Sequence, residues 1–466
     1  MSAVLRDAPA EAAGATWDIR PLAAVAEILD SRRVPINAKE RENRHGSVPY
    51  YGATGQVGWI DEFIFDEELV LLGEDGAPFL EPSKAKAYVI RGKSWVNNHA
   101  HVLRARDVPT GWLAHYLNSI SYDGLVTGTT RLKLTQAAMR QIRVPVAPPH
   151  VMTGIVAEIE TQFSRLDEAV ADLKRVKANL KRYKAAVLKD AVEGRLVPTE
   201  AELARREGRS YETGAQLLQW ILETRHSQWK GNGKYKQPAA PDTTNLPRLP
   251  EGWVWSTMPQ LGELNRGKSK HRPRDDPRLY GGPYPFIQTG DVRRSAGSIT
   301  EHGQTYSELG LQQSRLWSAG TLCITIAANI AETGILKFPA CFPDSIVGFA
   351  ANGGVVTTQY VDYFIRTARD NLDRFASATA QKNINLDVLE GVAIALPPLA
   401  EQHRIVAEVD RRLSLVREVE AEVDANLKRA ERVQQGVLKM AFGGNARNTE
   451  AFQHEPASGE SIDVSP

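Results

Sequence analysis

Cysteine is almost missing from this chain: Cys323 and Cys341 are the only two among 466 residues. A disulfide framework and a four-cysteine zinc site are therefore excluded, and the scarcity fits a reducing cytoplasm. No run of eighteen apolar residues occurs, so no membrane-spanning helix is expected. Residues Met1 to Ala15 mix Arg6 with Asp7, Glu11 and Pro9, without the apolar core of a secretory signal. A charge excess is lacking as well, with 57 Lys and Arg against 56 Asp and Glu. A chain that grips nucleic acid through phosphates alone would be more basic, so any such ligand requires local positive patches or help from partners. Enzymatic signatures are missing too. There is no Asn-Pro-Pro-aromatic or Asp-Pro-Pro-aromatic amino-methyltransferase motif, no Gly-rich cofactor loop after a strand, and no nuclease set of acids with a lysine. The ten histidines show no metal-ligand spacing; His99 and His101 fall on one strand face and read as structural. No turnover is expected from this chain alone.

What the chain does contain is itself, twice. Its length already calls for two to four domains. Ile155-Val156-Ala157-Glu158 recurs as Ile405-Val406-Ala407-Glu408, and in the same register Val187-Leu188-Lys189 recurs as Val437-Leu438-Lys439 and Pro148 as Pro398. Ala178-Asn179-Leu180-Lys181-Arg182 returns as Ala425-Asn426-Leu427-Lys428-Arg429 after a small slip. Upstream, Gly14 and Trp17 with Pro21 return as Gly252 and Trp255 with Pro259, so the second copy is longer in its first part. Between these matches the copies differ: Tyr50-Tyr51-Gly52-Ala53-Thr54-Gly55 faces Phe286-Ile287-Gln288-Thr289-Gly290, sharing only a Pro, aromatic and Gly frame. A repeated scaffold with diverged interiors suggests one mechanical task carried out on two different targets.

The coarse reading is α+β: two β-rich domains in tandem pseudo-repeat, separated by two long helices. Ile155, Ile159, Phe163, Leu166, Val170, Leu173, Leu180 and Val187 give a helical seam from Met152 to Val192. Ile405, Val409, Leu413, Val416, Val423, Leu427, Ala430 and Val437 repeat it. Each helix would span roughly 60 Å at 1.5 Å per residue. A single apolar seam needs a partner, and an antiparallel coiled coil of the two is the natural solution. Phe63-Ile64-Phe65, Leu69-Val70-Leu71-Leu72, Thr321 to Ile326 and Gly354-Val355-Val356 read as buried strands. The expected organisation is a first β-rich domain at 15–148, a long helix at 149–195, a helical segment and polar linker at 196–250, a second β-rich domain at 251–398, a second long helix at 399–443 and a disordered tail at 444–466. A helical stretch from Tyr211 to Lys230 lies before the Pro-rich linker.

One motif points elsewhere. Gly262-Glu263-Leu264-Asn265-Arg266-Gly267-Lys268-Ser269 satisfies the phosphate-loop pattern, in which backbone amides cradle phosphates and Lys268 would reach the outer one. This makes a nucleotide hydrolase an alternative function, beside a coiled-coil scaffold with no DNA role. The context opposes the hydrolase: Pro273 and Pro277 stand where a helix should open.

Leu249-Pro250-Glu251-Gly252-Trp253-Val254-Trp255, Pro397-Pro398-Leu399-Ala400-Glu401-Gln402 before a long helix, Val48-Pro49-Tyr50-Tyr51-Gly52-Ala53-Thr54-Gly55 and Gly73-Glu74-Asp75-Gly76 together resemble a known family. In order, spacing and duplication the chain is similar to the specificity subunits of type I restriction–modification enzymes, from about residue 15 to 443. The first copy departs from the pattern, with Ala147-Pro148-Pro149-His150-Val151-Met152 where a Glu-Gln pair is expected. The resemblance implies a non-catalytic subunit reading a split sequence in double-stranded DNA, each target-recognition domain taking one half. It also implies that the helices set the gap and dock two methyltransferase subunits. Those partners would bring S-adenosylmethionine, and restriction or motor subunits would bring ATP and Mg, leaving no cofactor in this chain and no membrane role.

On that reading the basic loops become candidate DNA contacts. Lys268, Lys270, Arg272 and Arg274, with Arg266 and His271, crowd one loop of the second copy, although a solvated charged loop has the same composition. The first-copy counterpart is Arg32, Arg33, Lys39 and Arg44, diluted by Glu40 and Glu42. Gln288, Arg293 and Arg294 carry groups suited to base edges and equally to turns. Thr130-Arg131-Leu132-Lys133 matches Ala380-Gln381-Lys382-Asn383 in the 250-residue register just before each long helix, which makes Arg131, Lys133, Gln381 and Lys382 candidates, with backbone contact and helix capping both in character. The acid-free run Lys174, Arg175, Lys177, Lys181, Arg182 and Lys184 suits phosphates, an acidic partner or an exposed coiled-coil flank.

Overall fold

The strand Leu69–Gly73 shows how each β-rich domain is built. Its residues are all buried, as a continuous apolar run flanked on both sides demands. It is central in a four-stranded antiparallel sheet, ordered Ala26–Ile28, Ala100–Ala105, Leu69–Gly73, Ala87–Ile90. The computed structural model describes residues 17–230, 233–327, 331–377 and 384–450. They fall into two units, one of 1–176 with 422–466 and the other of 177–421.

The second unit repeats the plan. Leu322–Thr325, also wholly buried, lies between Ile346–Ala351 and Thr333–Leu336, with Gly262–Arg266 on the outer edge of Ile346–Ala351. A fifth strand, Ser298–Ile299, adds in parallel to Thr333–Leu336. Each domain is closed by the same clasp. Asp18–Pro21 pairs antiparallel with Arg143–Val146 in one copy, and Val254–Thr257 with Ala393–Leu396 in the other. The clasps hold each domain's ends together at the point where its long helix departs. The first copy has a further four-stranded sheet, Gly55–Ile60, Val48–Gly52, Lys93–Val96 and Phe65–Asp66.

Two expected strands are corrected. Only Phe65 of Phe63-Ile64-Phe65 is in a strand. Gly354-Val355-Val356 is a turn: Gly354 sits at φ +83 and the Val355 amide donates to the Asn352 carbonyl. The Asn-Gly-Gly sequence there outweighs the β preference of two valines.

The long helices run Pro149–Val192 and Leu399–Glu450. Pro148 and Pro398 stand just before them, and their carbonyls accept from Met152 and Gln402 respectively. The second helix passes residue 443 because no proline follows Pro398 until Pro456, and Gly443 and Gly444 cost only about 1 kcal/mol each. The remainder of the expected tail, 451–466, lies outside the described residues. Met152, Ile159, Leu166, Leu173, Leu180 and Val187 recur every seventh residue, as do Val409, Val416, Val423, Ala430 and Val437, the heptad of a coiled-coil seam. In the first unit Met152 and Ile159 share a core with Val437, Leu438 and Phe442. In the second, Val187 and Ala191 share one with Ile405, Val409 and Leu413, and Lys184 pairs with Glu420 at 2.7 Å. Early residues of one helix meet late residues of the other in both places, so the helices are antiparallel.

The Glu-Gln pair at the start of the second helix is internal. Glu401 accepts from Trp253 Nε1 at 3.0 Å and from the Glu200 amide at 2.8 Å. Gln402 accepts from the Thr357 amide at 3.0 Å and donates to the Pro397 carbonyl at 3.1 Å. These bonds tie the helix to the preceding domain. In the first copy the same register holds Val151 and buried Met152, so apolar contact replaces the polar tie. Between the copies, Thr199 and Thr213 cap the helices Glu200–Glu207 and Gly214–Ser227 through capping boxes. Among the described residues no helix is long and apolar enough to cross a membrane.

Candidate nucleic-acid interface

In the first domain an acidic loop gathers the basic residues. Arg33 donates to Glu74 at 2.7 Å and to the Ala100 carbonyl at 2.7 Å, and its side chain is only 13% exposed. Lys133 reaches the other oxygen of Glu74 at 3.1 Å. Arg131 pairs with Asp75 at 2.7 Å, and His99 Nδ1 meets the same carboxylate oxygen at 2.7 Å. The segment before the long helix is thus pinned onto Gly73-Glu74-Asp75-Gly76, with the Leu134 amide bonded to the Glu74 carbonyl at 2.7 Å. Arg131 and Lys133 remain 59% and 51% exposed, so each keeps an outward face. Arg131 also borders a recess of roughly 670 Å³ shared with Thr130 and Lys84.

Behind this surface, Asp30 accepts from His101 Nδ1 at 2.6 Å, the Val102 amide at 2.8 Å and Gln136 at 3.0 Å. Burial works against its charge, but the His101, Val102 and Gln136 bonds outweigh it and hold the carboxyl below its ordinary value. Asp30, Glu74 and His101 converge closely enough to suggest a metal site. However, Arg33 already pairs with both carboxylates and Lys133 with Glu74, while the two ring nitrogens of His101 are taken up by Asp30 at 2.6 Å and the Leu134 carbonyl at 2.9 Å. The cluster is a polar staple joining three segments.

The other first-copy candidates differ in availability. Arg44 is bound to Asp61 and Glu62 and lies 4.6 Å over the Trp95 ring. Arg32 is nearly half exposed, 3.5 Å from Glu67 and stacked on Phe65. Lys39, on the short helix Ala38–Glu42, is exposed and has no ion pair among the described residues.

In the second domain the phosphate-loop alternative fails on geometry. Gly262–Arg266 is a strand, and the Gly267 and Lys268 amides donate to the Ile346 and Phe342 carbonyls at 2.8 and 3.1 Å. Amides committed to backbone partners cannot cradle a phosphate, and no helix opens at Lys268, the next helical turn being the short Pro277–Leu279. Gly267 is present because a Cβ would collide with the Phe342 and Pro343 carbonyls. The residues after it form a loop held by its own side chains. Arg272 donates to the Ser269 and His271 carbonyls, both at 2.8 Å, and Arg274 pairs with Asp344 at 3.1 Å. His271 Nε2 lies 2.9 Å from Asp276, which the Arg278 guanidinium holds far below the usual carboxylate range. Lys268 and Lys270 project from this scaffold, exposed and with no ion pair among the described residues.

Gln288 donates to Gln304 at 2.7 Å, Arg294 pairs with Asp291 at 2.6 Å, and Arg293 is exposed on the same short helix, Thr289–Arg294. Gln381 and Lys382 lie outside the described residues. Sequence reasoning missed Arg366 and Arg369, which stand beside Arg293 but are remote from it in the chain. It also missed Arg315, held by Glu263 at 2.6 Å over the Trp317 ring. The helix Thr358–Ser377 carries Arg366 and Arg369 three residues apart, a spacing that could have flagged them.

Comparison with known proteins follows this duplication. The family model described as type I restriction modification DNA specificity domain matches residues 15–175 and again 250–426. A Haemophilus influenzae chain named as a type I restriction enzyme specificity subunit is 25% identical over 407 residues, spanning 85% of this chain and 88% of that one. The Escherichia coli type I restriction enzyme EcoDI specificity subunit is 22% identical over 424 residues, 89% of this chain and 86% of the relative. A chain solved in a study of assembly and conformational transition of the type I R-M system shares the fold. Its TM-score is 0.58 at 16% identity, over 92% of this chain and 98% of that one.

Proposed function

The chain belongs to the type I restriction–modification DNA specificity family, and from that membership we propose that it reads a two-part DNA target without catalysing any step. One recognition domain, 15–148, takes one half-site and the other, 251–398, takes the second. The observation that carries this reading is the duplication: equal clasps and matching central sheets bear unlike side chains, as expected of one scaffold reading two sequences. Exposed Arg131 and Lys133 in one copy, and Lys268 and Lys270 in the other, supply cations suited to phosphates and base edges.

The two antiparallel helices set the spacing between half-sites and dock two methyltransferase subunits. In the complete assembly the methyltransferases supply S-adenosylmethionine and the restriction subunits supply ATP and Mg, within the cytoplasm. Partner-supplied charge accounts for a chain whose own net charge is only +1.

Matched seven-residue deletions in both long helices test the spacing role. They remove about 10 Å of helix, equivalent to about three base pairs at 3.4 Å each. Mapping methylated adenines in DNA treated with the assembled complex should show a shorter gap with both half-sites unaltered. Changed half-site letters, or loss of all binding by a folded assembly, would contradict the proposal.

A further inference from the structure

The second recognition domain contains a basic recess of roughly 260 Å³ whose lining side chains include Arg293, Arg366, Arg369 and Glu332. One wall is the helix Thr358–Ser377, whose residues Asp362, Arg366 and Arg369 share one face. Asp362 is buried and grips Arg366 from behind, at 2.9 Å to Nη2 and 3.1 Å to Nε. Arg366 Nε also donates to Thr333 Oγ1 at 3.2 Å. Gly297, at φ +101, lets the opposite loop close over the guanidinium, where a Cβ would collide with it. Arg369 pairs with Glu332 at 2.9 Å. Arg293 enters from a separate helix, exposed and without an ion pair among the described residues.

The first copy shows that the scaffold does not require this charge. Its helix Thr110–Ser119 lies in the same place in the order, and Trp112 matches Tyr360 as Leu117 matches Ile365. In that register Asp362 corresponds to Ala114 and Arg366 to Asn118. Asn118 accepts from the Lys86 and Ala87 amides at 2.7 and 3.0 Å and donates to the Ala87 carbonyl at 2.7 Å. A neutral amide therefore joins helix to sheet in one copy, while the other has an arginine with two more beside it.

We infer that Arg293, Arg366 and Arg369 form a phosphate-binding recess used by the second recognition domain alone. Guanidinium forks match phosphate oxygens in geometry as well as charge. The ligand is either a backbone phosphodiester beside the second half-site, which rests on the function proposed above, or a free phosphate compound.

The test uses Arg293→Ala with Arg369→Ala in the full chain. Duplex binding by the complex assembled with its methyltransferase partners is measured against salt, and thermal unfolding of the chain with and without inorganic pyrophosphate. For a duplex phosphate, the plot of log affinity against log salt should be shallower by about one. Affinity should fall about tenfold, and protection of the first half-site should persist. Arg293→Lys with Arg369→Lys keeps the charge and should restore the slope. For a free phosphate, duplex binding should be unchanged, but stabilisation of the native chain by pyrophosphate should disappear in the alanine variant. A variant equal to the native chain in both measurements overturns the recess. A native assembly that protects no two-part site would instead overturn the function proposed above.

Discussion

Replacing Glu401 by Gln should flatten the pH dependence of stability in the second unit. Glu401 is fully buried at the start of the second long helix, where it accepts from Trp253 Nε1 and the Glu200 amide. Burial pushes its carboxyl up to about 7 from 4.5, against the pull of those donors and of Arg404. Neighbouring Glu200 adds repulsion; its own burial is outweighed by bonds from Arg404 and Arg209, which keep it ionised. The folded value lies above the unfolded one, so the fold favours the protonated form. The associated stability is therefore complete below about pH 4.5 and lost as pH rises through about 7. At 1.36 kcal/mol per pH unit, that interval corresponds to about 3 kcal/mol. Gln keeps the size and cannot ionise, but its amide nitrogen must face one of the two donors, which costs about 1–3 kcal/mol at every pH. Urea unfolding of the full chain, followed by tryptophan emission, should show the native chain more stable near pH 5 and the two converging near pH 8. Equal pH slopes in both chains would refute the argument that burial dominates at this carboxyl.

Two further tests separate structural arginines from available cations. Arg33→Ala removes the partner of Glu74 from a site where both side chains are largely buried, and should destabilise the first domain by about 3–5 kcal/mol. Arg32→Ala, next in the chain but exposed, should cost no more than about 1 kcal/mol, and thermal unfolding distinguishes the two. Lys270→Ala with Arg272→Ala should weaken the assembled complex at the second half-site and make its salt dependence shallower by about one for each phosphate the loop no longer neutralises. Unchanged footprints and methylation would remove that loop from the interface.

The large features were legible because they depend on periodicity and repetition. A seam sustained from Met152 to Val187 permits one secondary structure, and its recurrence from Val409 to Val437 supplied the partner. Leu69-Val70-Leu71-Leu72 was readable as a buried strand because it is a short unbroken apolar run. Gly354-Val355-Val356 was not, because two β-branched residues carry less information than the glycines that turn the chain before them. The clasps were invisible: Asp18–Pro21 and Arg143–Val146 are far apart in sequence, and nothing local says that they pair.

The candidate interface was less legible, and Arg33 shows why. Composition reveals that a cation is present but not which acid lies opposite, and Glu74 is brought to Arg33 only when the sheet forms. Arg44 was equally misleading, since Asp61 and Glu62 reach it across the strand pair Val48–Gly52 and Gly55–Ile60. In the second copy Arg272 folds back on its own loop, whereas Lys268 and Lys270 project from it. The acids that diluted the first basic run, Glu40 and Glu42, make none of these ion pairs; the decisive ones lie elsewhere in the chain. Net charge near neutrality is then a consequence of construction. Among the described residues Arg33, Arg44 and Arg274 are paired to hold loops in shape, while Lys39, Lys268, Lys270 and Arg293 stand exposed without an ion pair, beside the outward faces that Arg131 and Lys133 keep.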